Sequence, residues 1–235
     1  MAKRDLRQRI QRRARKAGVS VSSELAERLC TYLELLMRWN ARMNLTALDD
    51  SDAGIDRLVV EALVAVQHLP ATGVSMMDIG SGGGSPAVPM KLAAPGVSLL
   101  MVEAKTRKAA FLREVVRVLE LGNTQVETAR YEELLSRPDL HESQQVVTLR
   151  AVRTEARVLR GLQAFLAPGG LVMLFRGPGG SEVPEDLQPP LVWEATYPLV
   201  ESLRSRLVLL RNVSPGQKRT ATAREESRET NKKRI

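Results

Sequence analysis

The residues best suited to chemistry lie together in one stretch, MMDIGSGGGSPAVP, running from Met76 to Pro89. An acid, Asp78, sits near the end of an apolar run; Gly80, Gly82, Gly83 and Gly84 follow, and Pro86 and Pro89 close the stretch. Glycine loses the most conformational freedom on folding and packs no side chain, so such a run needs a steric reason. In an open α/β sheet that reason is a ligand lying against the backbone at the carboxyl end of the first strand. The next apolar run, LLMVEAK, reaches Glu103, where a carboxylate accepts hydrogen bonds from both hydroxyls of a ribose. Together these features imply a nucleoside-bearing cofactor, either a nicotinamide dinucleotide or S-adenosylmethionine.

The two cofactors make different demands on the loop. A dinucleotide sets its pyrophosphate on free N–H groups at a helix N-terminus, and Gly82, Gly84 and Ala87 formally satisfy the alanine variant of that motif. Pro86 and Pro89 fall where those donors are needed, and proline has none. The spacing of Asp78, Gly80, Gly82 and Gly84 instead suits a cofactor without phosphate. Its amino-acid end lies on the loop while a carboxylate balances a sulfonium and an ammonium. S-adenosylmethionine is favoured on these residues. Nothing else in the chain suggests a catalytic dyad: Cys30 is the one cysteine, and the two histidines, His68 and His141, read as structural. One Cys and two His make no structural zinc set, so no metal is expected.

The elements that must position these residues follow from hydrophobic periodicity. Asp5 to Ala17 reads as a basic helix ended by Gly18. The run from Leu25 to Met43 repeats apolar residues at three- and four-residue steps, with Ser22 or Ser23 as N-cap, and a further helix is expected from Asp52 to Leu69. Beyond it short β-branched runs (Val74–Ile79, Val97–Val102, Gln125–Thr128, Gln145–Leu149, Gly170–Phe175) alternate with helical ones (Ala87–Ala94, Thr106–Leu121, Tyr131–Leu135, Arg153–Leu166). Alternation of this kind predicts a mostly parallel sheet covered on both faces. Leu191–Val200 and Arg204–Arg211 are expected to close it as an antiparallel hairpin. The predicted fold is therefore α/β, a Rossmann-like sheet with an N-terminal helical extension. The predicted organisation is a basic arm over 1–20, a helical extension over 21–72, a cofactor-binding domain over 73–213 and a polar, disordered tail over 214–235.

Charge points to the partner. Lys and Arg number 35 against 27 Asp and Glu, a formal +8, and the surplus sits at the two ends. Basic ends on a protein with a single cysteine and no signal-peptide pattern suggest a cytoplasmic protein that meets a polyanion, most often nucleic acid. No apolar run approaches the roughly 20 residues of a membrane span, so no membrane partner is expected.

The motifs RWNARMNLTALDD, DIGSGGGSP, LLMVEAKTRKAAFLREVVRVLELGN, ARYEEL, LRAV and LAPGGLVMLFRG occur in an order that resembles the bacterial 16S, or small-subunit, ribosomal RNA (guanine-N7) methyltransferases, formerly glucose-inhibited division protein B. The likeness runs from about Leu25 to Arg211, and WN-x-x-x-NLT, Trp39 to Thr46, is more discriminating than the glycine loop. It implies a class I methyltransferase fold and S-adenosylmethionine as cofactor. On the matching positions, it places Gly80, Ser85, Tyr131, Glu132 and Arg150 at the cofactor, beside Asp78, Gly82, Gly84 and Glu103. Departures fall in three places, one of them LRA, Leu149 to Ala151, where the family has SRA. Ser85-Pro86-Ala87 replaces a bulky apolar residue and "PG". In the segment RLVVEA, Leu58, Glu61 and Ala62 stand where the family has His, Asp and Ser.

A guanine N7 carries a lone pair and no proton, so the implied reaction needs no general base. Holding the RNA is expected of Arg38, Arg42, Lys105, Arg107, Lys108 and Arg176, with the N-terminal arm and the C-terminal strand, because aromatics are 3% of residues. The expected partner is ribosomal RNA or the small subunit, met by a monomer. The alternatives are a methyltransferase of the same fold with another target, a degenerate relative that binds RNA or cofactor without turnover, and a nicotinamide-dependent enzyme.

Overall fold

The computed structural model describes residues 3–47, 49, 51–70, 73–150, 156–179 and 187–213. The expected tail, the first residues of the helix expected at Arg153, and most of the loop after Gly179 lie outside them.

Seven strands form one sheet in the order β3-β2-β1-β4-β5-β7-β6. They are β1 (Ser75–Ile79), β2 (Ser98–Val102), β3 (Thr124–Glu127), β4 (Gln144–Arg150), β5 (Leu166–Arg176), β6 (Leu191–Pro198) and β7 (Arg206–Asn212). β1 to β5 are mutually parallel, and β7 runs antiparallel to both β5 and β6. The expected architecture is thus present, hairpin included. β5 begins four residues earlier than its apolar run, because Leu166 pairs with Gln144 across a register shift, and Gly169 turns the backbone at φ 77°.

Alternation along the strands divides the interior. Met76, Leu99, Met101, Val146 and Met173 face one layer, whereas Met77, Leu100, Val102, Val147 and Val172 face the other. The first layer is thick. It contains α1 (Lys3–Lys16), α2 (Ser23–Met43), α3 (Asp52–Ile55), α4 (Glu61–Ala65), α5 (Ala87–Ala93) and α6 (Thr106–Val118), and the second face is covered by α7 (Tyr131–Leu134) and α8 (Ala156–Gln163). Cores on both faces explain why the parallel strands read as nearly unbroken apolar runs.

The helix expected over Asp52 to Leu69 is not uniform. α3 and α4 are joined by a π-turn, Asp56–Val60, and Val66–His68 tightens to a 3₁₀ turn. Asp56 in that turn is buried and accepts from Arg13 Nε at 2.8 Å and from Ser202 Oγ at 3.2 Å. Such a residue has to be charge-paired to be buried, and the Asp56 carboxylate in turn raises the Arg13 pKa. Arg9 also pairs with Asp52 at 2.9 Å. Leu6, Ile10 and Ala14 are buried in the same layer. The opening basic helix is therefore part of the core, and four of the arginines expected to face a polyanion, Arg7, Arg9, Arg12 and Arg13, face carboxylates of the protein itself.

The WN-x-x-x-NLT motif ends α2. Asn44 adopts φ 50° and closes the helix through its N–H to the Asn40 carbonyl, while the Asn40 side chain accepts from Thr46 N–H at 2.9 Å. Asparagine tolerates that left-handed conformation better than most residues. This termination brings Leu45 to the glycine loop. A Cβ on Gly83 would lie 3.2 Å from Leu36 and 3.9 Å from the Leu45 carbonyl; one on Gly84, where φ is 85°, would lie 2.9 Å from Val88 and 3.3 Å from Leu112. Gly84→Ala should therefore destabilise the protein by about 2–4 kcal/mol, from left-handed strain and overpacking together. Urea unfolding of the two proteins checks it, and Gly82→Ala, where a Cβ meets only ordinary contacts at 3.7 and 3.9 Å, should cost less.

Candidate active site

The turn after β1 satisfies four of its own amides. Gly80 and Ser81 N–H both donate to the Val102 carbonyl, at 2.9 and 3.1 Å; Gly84 N–H donates to the Ser81 carbonyl at 2.6 Å. Gly82 N–H donates to Glu103 Oε2 at 2.9 Å. A pyrophosphate would find these four donors engaged, and Pro89 in the first turn of α5 offers none. The dinucleotide alternative is therefore disfavoured at these donors, whereas a cofactor without phosphate needs none of them. Gly80, Gly82 and Gly84 have φ of 72°, 51° and 85°, which explains glycine at each. The four glycines nonetheless divide. Gly83 and Gly84 are bare because the protein's own side chains fill their space, whereas Gly82 has room beside it, bounded by the Gly80 carbonyl at 3.7 Å and Lys108 Nζ at 3.9 Å.

Glu103 ends β2 as expected, buried, with Oε1 accepting from Lys105 N–H at 2.8 Å. Each carboxylate oxygen carries two lone pairs, so Glu103 keeps acceptor capacity for a ribose after bonding the loop. Tyr131 and Glu132 follow β3, the next strand. The Tyr131 ring lies against Gly161 of α8, 3.1 Å from where a Cβ would stand, and burial, then Glu132, raises its hydroxyl pKa. Glu132 is exposed. Glu103, Tyr131 and Glu132 thus share the carboxyl edge of neighbouring strands.

On the other side of β1 lies a buried charge cluster. Asp78 Oδ1 accepts from Thr148 Oγ1 of β4 at 2.5 Å, and Oδ2 has no partner. Burial pushes the Asp78 carboxyl above the usual carboxylate range, with the Thr148 bond opposing. Arg150, at the end of β4, donates through Nη1 to the Arg57 carbonyl and stands over the Phe175 ring at 4.7 Å. Its Nη1 is also 2.8 Å from Glu61 Oε2, an ion pair without hydrogen-bond alignment. Burial lowers the Arg150 pKa and the Glu61 charge opposes that. Glu61 Oε1 in turn accepts from Arg57 Nη1 at 3.0 Å.

Ser85 is engaged within the protein. Its hydroxyl donates to the Leu58 carbonyl at 2.7 Å and so ties the loop to the π-turn. Arg57 and Leu58 are consecutive residues of that turn, and each carbonyl takes a side-chain hydrogen bond. Two groups of the site have no signature in the loop motif. Tyr32, fully buried, donates to the Gly83 carbonyl at 2.7 Å and fastens α2 to the loop. Glu61 was legible only as an acid inside the apolar run LVVEALVA, and a buried acid demands a cation.

Comparison with known proteins places this geometry. The family model for rRNA small subunit methyltransferase G (GidB) matches residues 25–186. The chain belongs to this family. It is 38% identical over 161 residues to "Ribosomal RNA small subunit methyltransferase G" of Stenotrophomonas maltophilia strain K279a, covering 68% of this chain and 73% of that protein. The Halorhodospira halophila protein of the same name is 34% identical over 186 residues, 79% of this chain and 86% of the relative. Among solved structures, TrmN from Thermus thermophilus shares the fold with a TM-score of 0.51 at 18% identity, over 65% of this chain and 48% of that one. The chain is a methyltransferase, and S-adenosylmethionine is its cofactor.

The basic residues expected to hold the family's substrate are distributed unequally. Arg38 and Arg42 are exposed on the last turns of α2, and Lys105 and Arg107 are exposed at the start of α6. Lys108 reaches the Leu45 carbonyl at 3.5 Å, so both elements border the glycine loop. Arg176 is separate: half-buried at the end of β5, it faces Arg206 across the β5–β7 register, and burial, then that like charge, lowers its pKa. A depression of about 520 Å³ lies elsewhere, at the amino ends of the strands among Val66, Leu69, Pro70 and Val97. Its lining is apolar and away from the chemistry. Among the described residues no His, Cys, Asp and Glu group is arranged for a metal ion, and no helix is long and apolar enough to cross a membrane.

Removing one partner of a buried ion pair leaves an uncompensated charge. Glu61→Gln should cost about 3–5 kcal/mol, with Glu61→Asp recovering part of it, as read from thermal and urea unfolding.

Proposed function

We propose that this chain transfers the methyl group of S-adenosylmethionine to N7 of a guanine in the RNA of the small ribosomal subunit, acting as a cytoplasmic monomer. The observation that carries this reading is the glycine turn with four amides engaged inside the protein, Glu103 at the end of β2 and a buried carboxylate oxygen on Asp78 that takes no hydrogen bond. That set suits a ligand with a sugar and a cationic amino-acid end, and no phosphate.

In this reading Glu103 accepts from the ribose, and Tyr131 and Glu132 border the adenine. The loop backbone receives the methionine end, with Asp78 and Arg150 opposing its ammonium and carboxylate charges. Bound S-adenosylmethionine supplies an electrophilic methyl group on sulfur. The N7 lone pair takes that carbon as the carbon–sulfur bond breaks, and no proton has to move. What the protein contributes is position. Holding the reacting atoms at near-attack distance supplies roughly 7–11 kcal/mol in favourable cases. The rigidity of the loop, pinned by Val102, Glu103, Tyr32 and Ser85, serves that purpose.

Mass-spectrometric mapping of methylated guanines in 16S ribosomal RNA, from cells with and without this chain, tests the proposal. One N7-methylguanine should appear with the protein and vanish without it; identical maps refute the target. A second expectation concerns pH. An Asp78 carboxyl held above the ordinary range takes up its proton sooner as pH falls, so the charge opposing the donor's cationic end is lost at a higher pH than for an exposed Asp. Donor affinity should weaken on acidification through that range. Asp78→Asn should weaken binding about tenfold, or ~1.4 kcal/mol, and flatten the profile. Calorimetric titration from pH 8 downward reads both.

A further inference from the structure

We propose that the face of α2 formed by Arg38, Trp39, Arg42 and Met43 is a seat for one unstacked base of the RNA substrate, with Trp39 as the stacking platform and the two arginines on flanking phosphates. The inference rests on the ribosomal RNA reading above and adds to it a nucleotide other than the methylated one.

The helical repeat brings these residues together. Positions 38, 39, 42 and 43 are three- and four-residue neighbours on the last two turns of α2, so they form one patch. They line a cavity of about 240 Å³. Drug-sized ligands occupy pockets from about 300 Å³ upward, so this one suits a single planar ring better than a whole cofactor. Trp39 is half-buried, its ring tilted at 60° on Phe111 with centroids 5.6 Å apart. Phe111 is sealed in the core. A tryptophan held rigidly from behind and open in front is a low-entropy stacking surface.

Position and charge select the occupant. Tyr32, Phe111 and Phe165 are fully buried, and Trp193 and Tyr197 are exposed on β6 at the far edge of the sheet. Trp39 is the half-open ring on the helix that borders the glycine loop. Its surroundings are cationic: Arg38 and Arg42 are exposed one turn apart along one side of it, and Lys105 and Arg107 are exposed at the start of α6. The carboxylate that Arg38 faces, Glu114, is held by Arg117 at 2.9 Å. An apolar platform framed by cations suits a polyanion carrying planar rings. Target guanines in folded RNA must be unstacked before reaction, and recognition of single-stranded RNA commonly stacks splayed bases on aromatic side chains.

The test uses the full chain and in vitro-transcribed 16S ribosomal RNA, with the assembled small subunit as a second probe. Trp39→Leu should lose roughly 5- to 150-fold in RNA affinity, whereas Trp39→Phe should largely retain it. The double change Arg38→Glu, Arg42→Glu should lower the slope of log affinity against log salt by about 1.4, or ~0.7 for each phosphate no longer neutralised. S-adenosylmethionine affinity, measured by calorimetry, should stay at the parent value in all three. In a Trp193→Phe background, RNA should quench the fluorescence of Trp39. RNA affinity unchanged in Trp39→Leu and in the double variant, with donor affinity intact, overturns the proposal. So does quenching by ribosomal proteins stripped of RNA but not by RNA. Should Trp39→Leu lose donor affinity through misfolding, the arginine pair and the fluorescence decide. An unmethylated guanine map with quenching intact sinks the transfer reaction and leaves this seat standing.

Discussion

Four amide groups at the end of β1 must find acceptors inside the protein, and β2 provides most of them. The Val102 carbonyl takes two and the Glu103 carboxylate a third. A buried amide left unpaired costs about as much as a lost hydrogen bond, so the turn cannot open toward a phosphate without losing stability. Its shape is fixed before any ligand arrives. Glu103 has two duties from this arrangement: it braces the turn with a lone pair of one oxygen and retains capacity for a sugar. Replacing it would loosen the turn as well as the cofactor's grip, so its effects on binding and on folding are not separable by a single substitution.

The thick helical layer is the second half of that constraint. Tyr32 reaches the Gly83 carbonyl from α2, and Ser85 reaches the Leu58 carbonyl of the π-turn. The same turn gives its Arg57 carbonyl to Arg150. A π-turn leaves carbonyls available to side chains that a regular helix would engage, and such turns recur at functional sites. Leu58, Glu61, Ala62 and Ser85 therefore belong to one region where helix meets loop. Glu61 compensates Arg150 and Arg57 there, and Ser85 supplies a hydrogen bond. These residues fasten the loop, and Glu103, Tyr131 and Glu132 lie on the other side of β1.

Much of this was legible in the sequence. Alternating strand and helix runs gave sheet and helices with ends within a few residues, since strands buried on both faces carry an apolar signal that does not depend on distant contacts. Glu103 was legible because it follows an apolar run at a carboxyl end. What escaped has a common cause, which is dependence on partners far away in the chain. The π-turn at Asp56–Val60 is tied to Arg13, Ser85, Arg150 and Ser202, none of which its local sequence announces. The glycine run carried two demands that composition alone cannot separate: Gly83 and Gly84 make room for Leu36, Val88 and Leu112, and Gly82 leaves a surface open. The basic opening helix showed its charge clearly, yet its Leu6, Ile10 and Ala14 stripe decided its place.

A reaction without proton transfer also explains how the molecule is divided. Catalysis by position asks the donor side to be rigid, because small displacements of the reacting atoms cost rate steeply, and the turn after β1 is held from four directions. The target side has a different requirement. A guanine has to leave a folded RNA, which needs an electrostatic hold on the backbone and a surface for displaced bases more than it needs an enclosed pocket. The ends of α2 and α6 meet that requirement with exposed arginine and lysine around one half-open ring. The Leu45 segment joins the two sides: Asn40 and Asn44 fix it, Gly83 and Lys108 lie against its carbonyl. A shift of RNA-bound α2 would therefore be felt at the glycine turn through one short segment, and the distinctive Asn-rich motif is the part of the chain that makes that connection stiff.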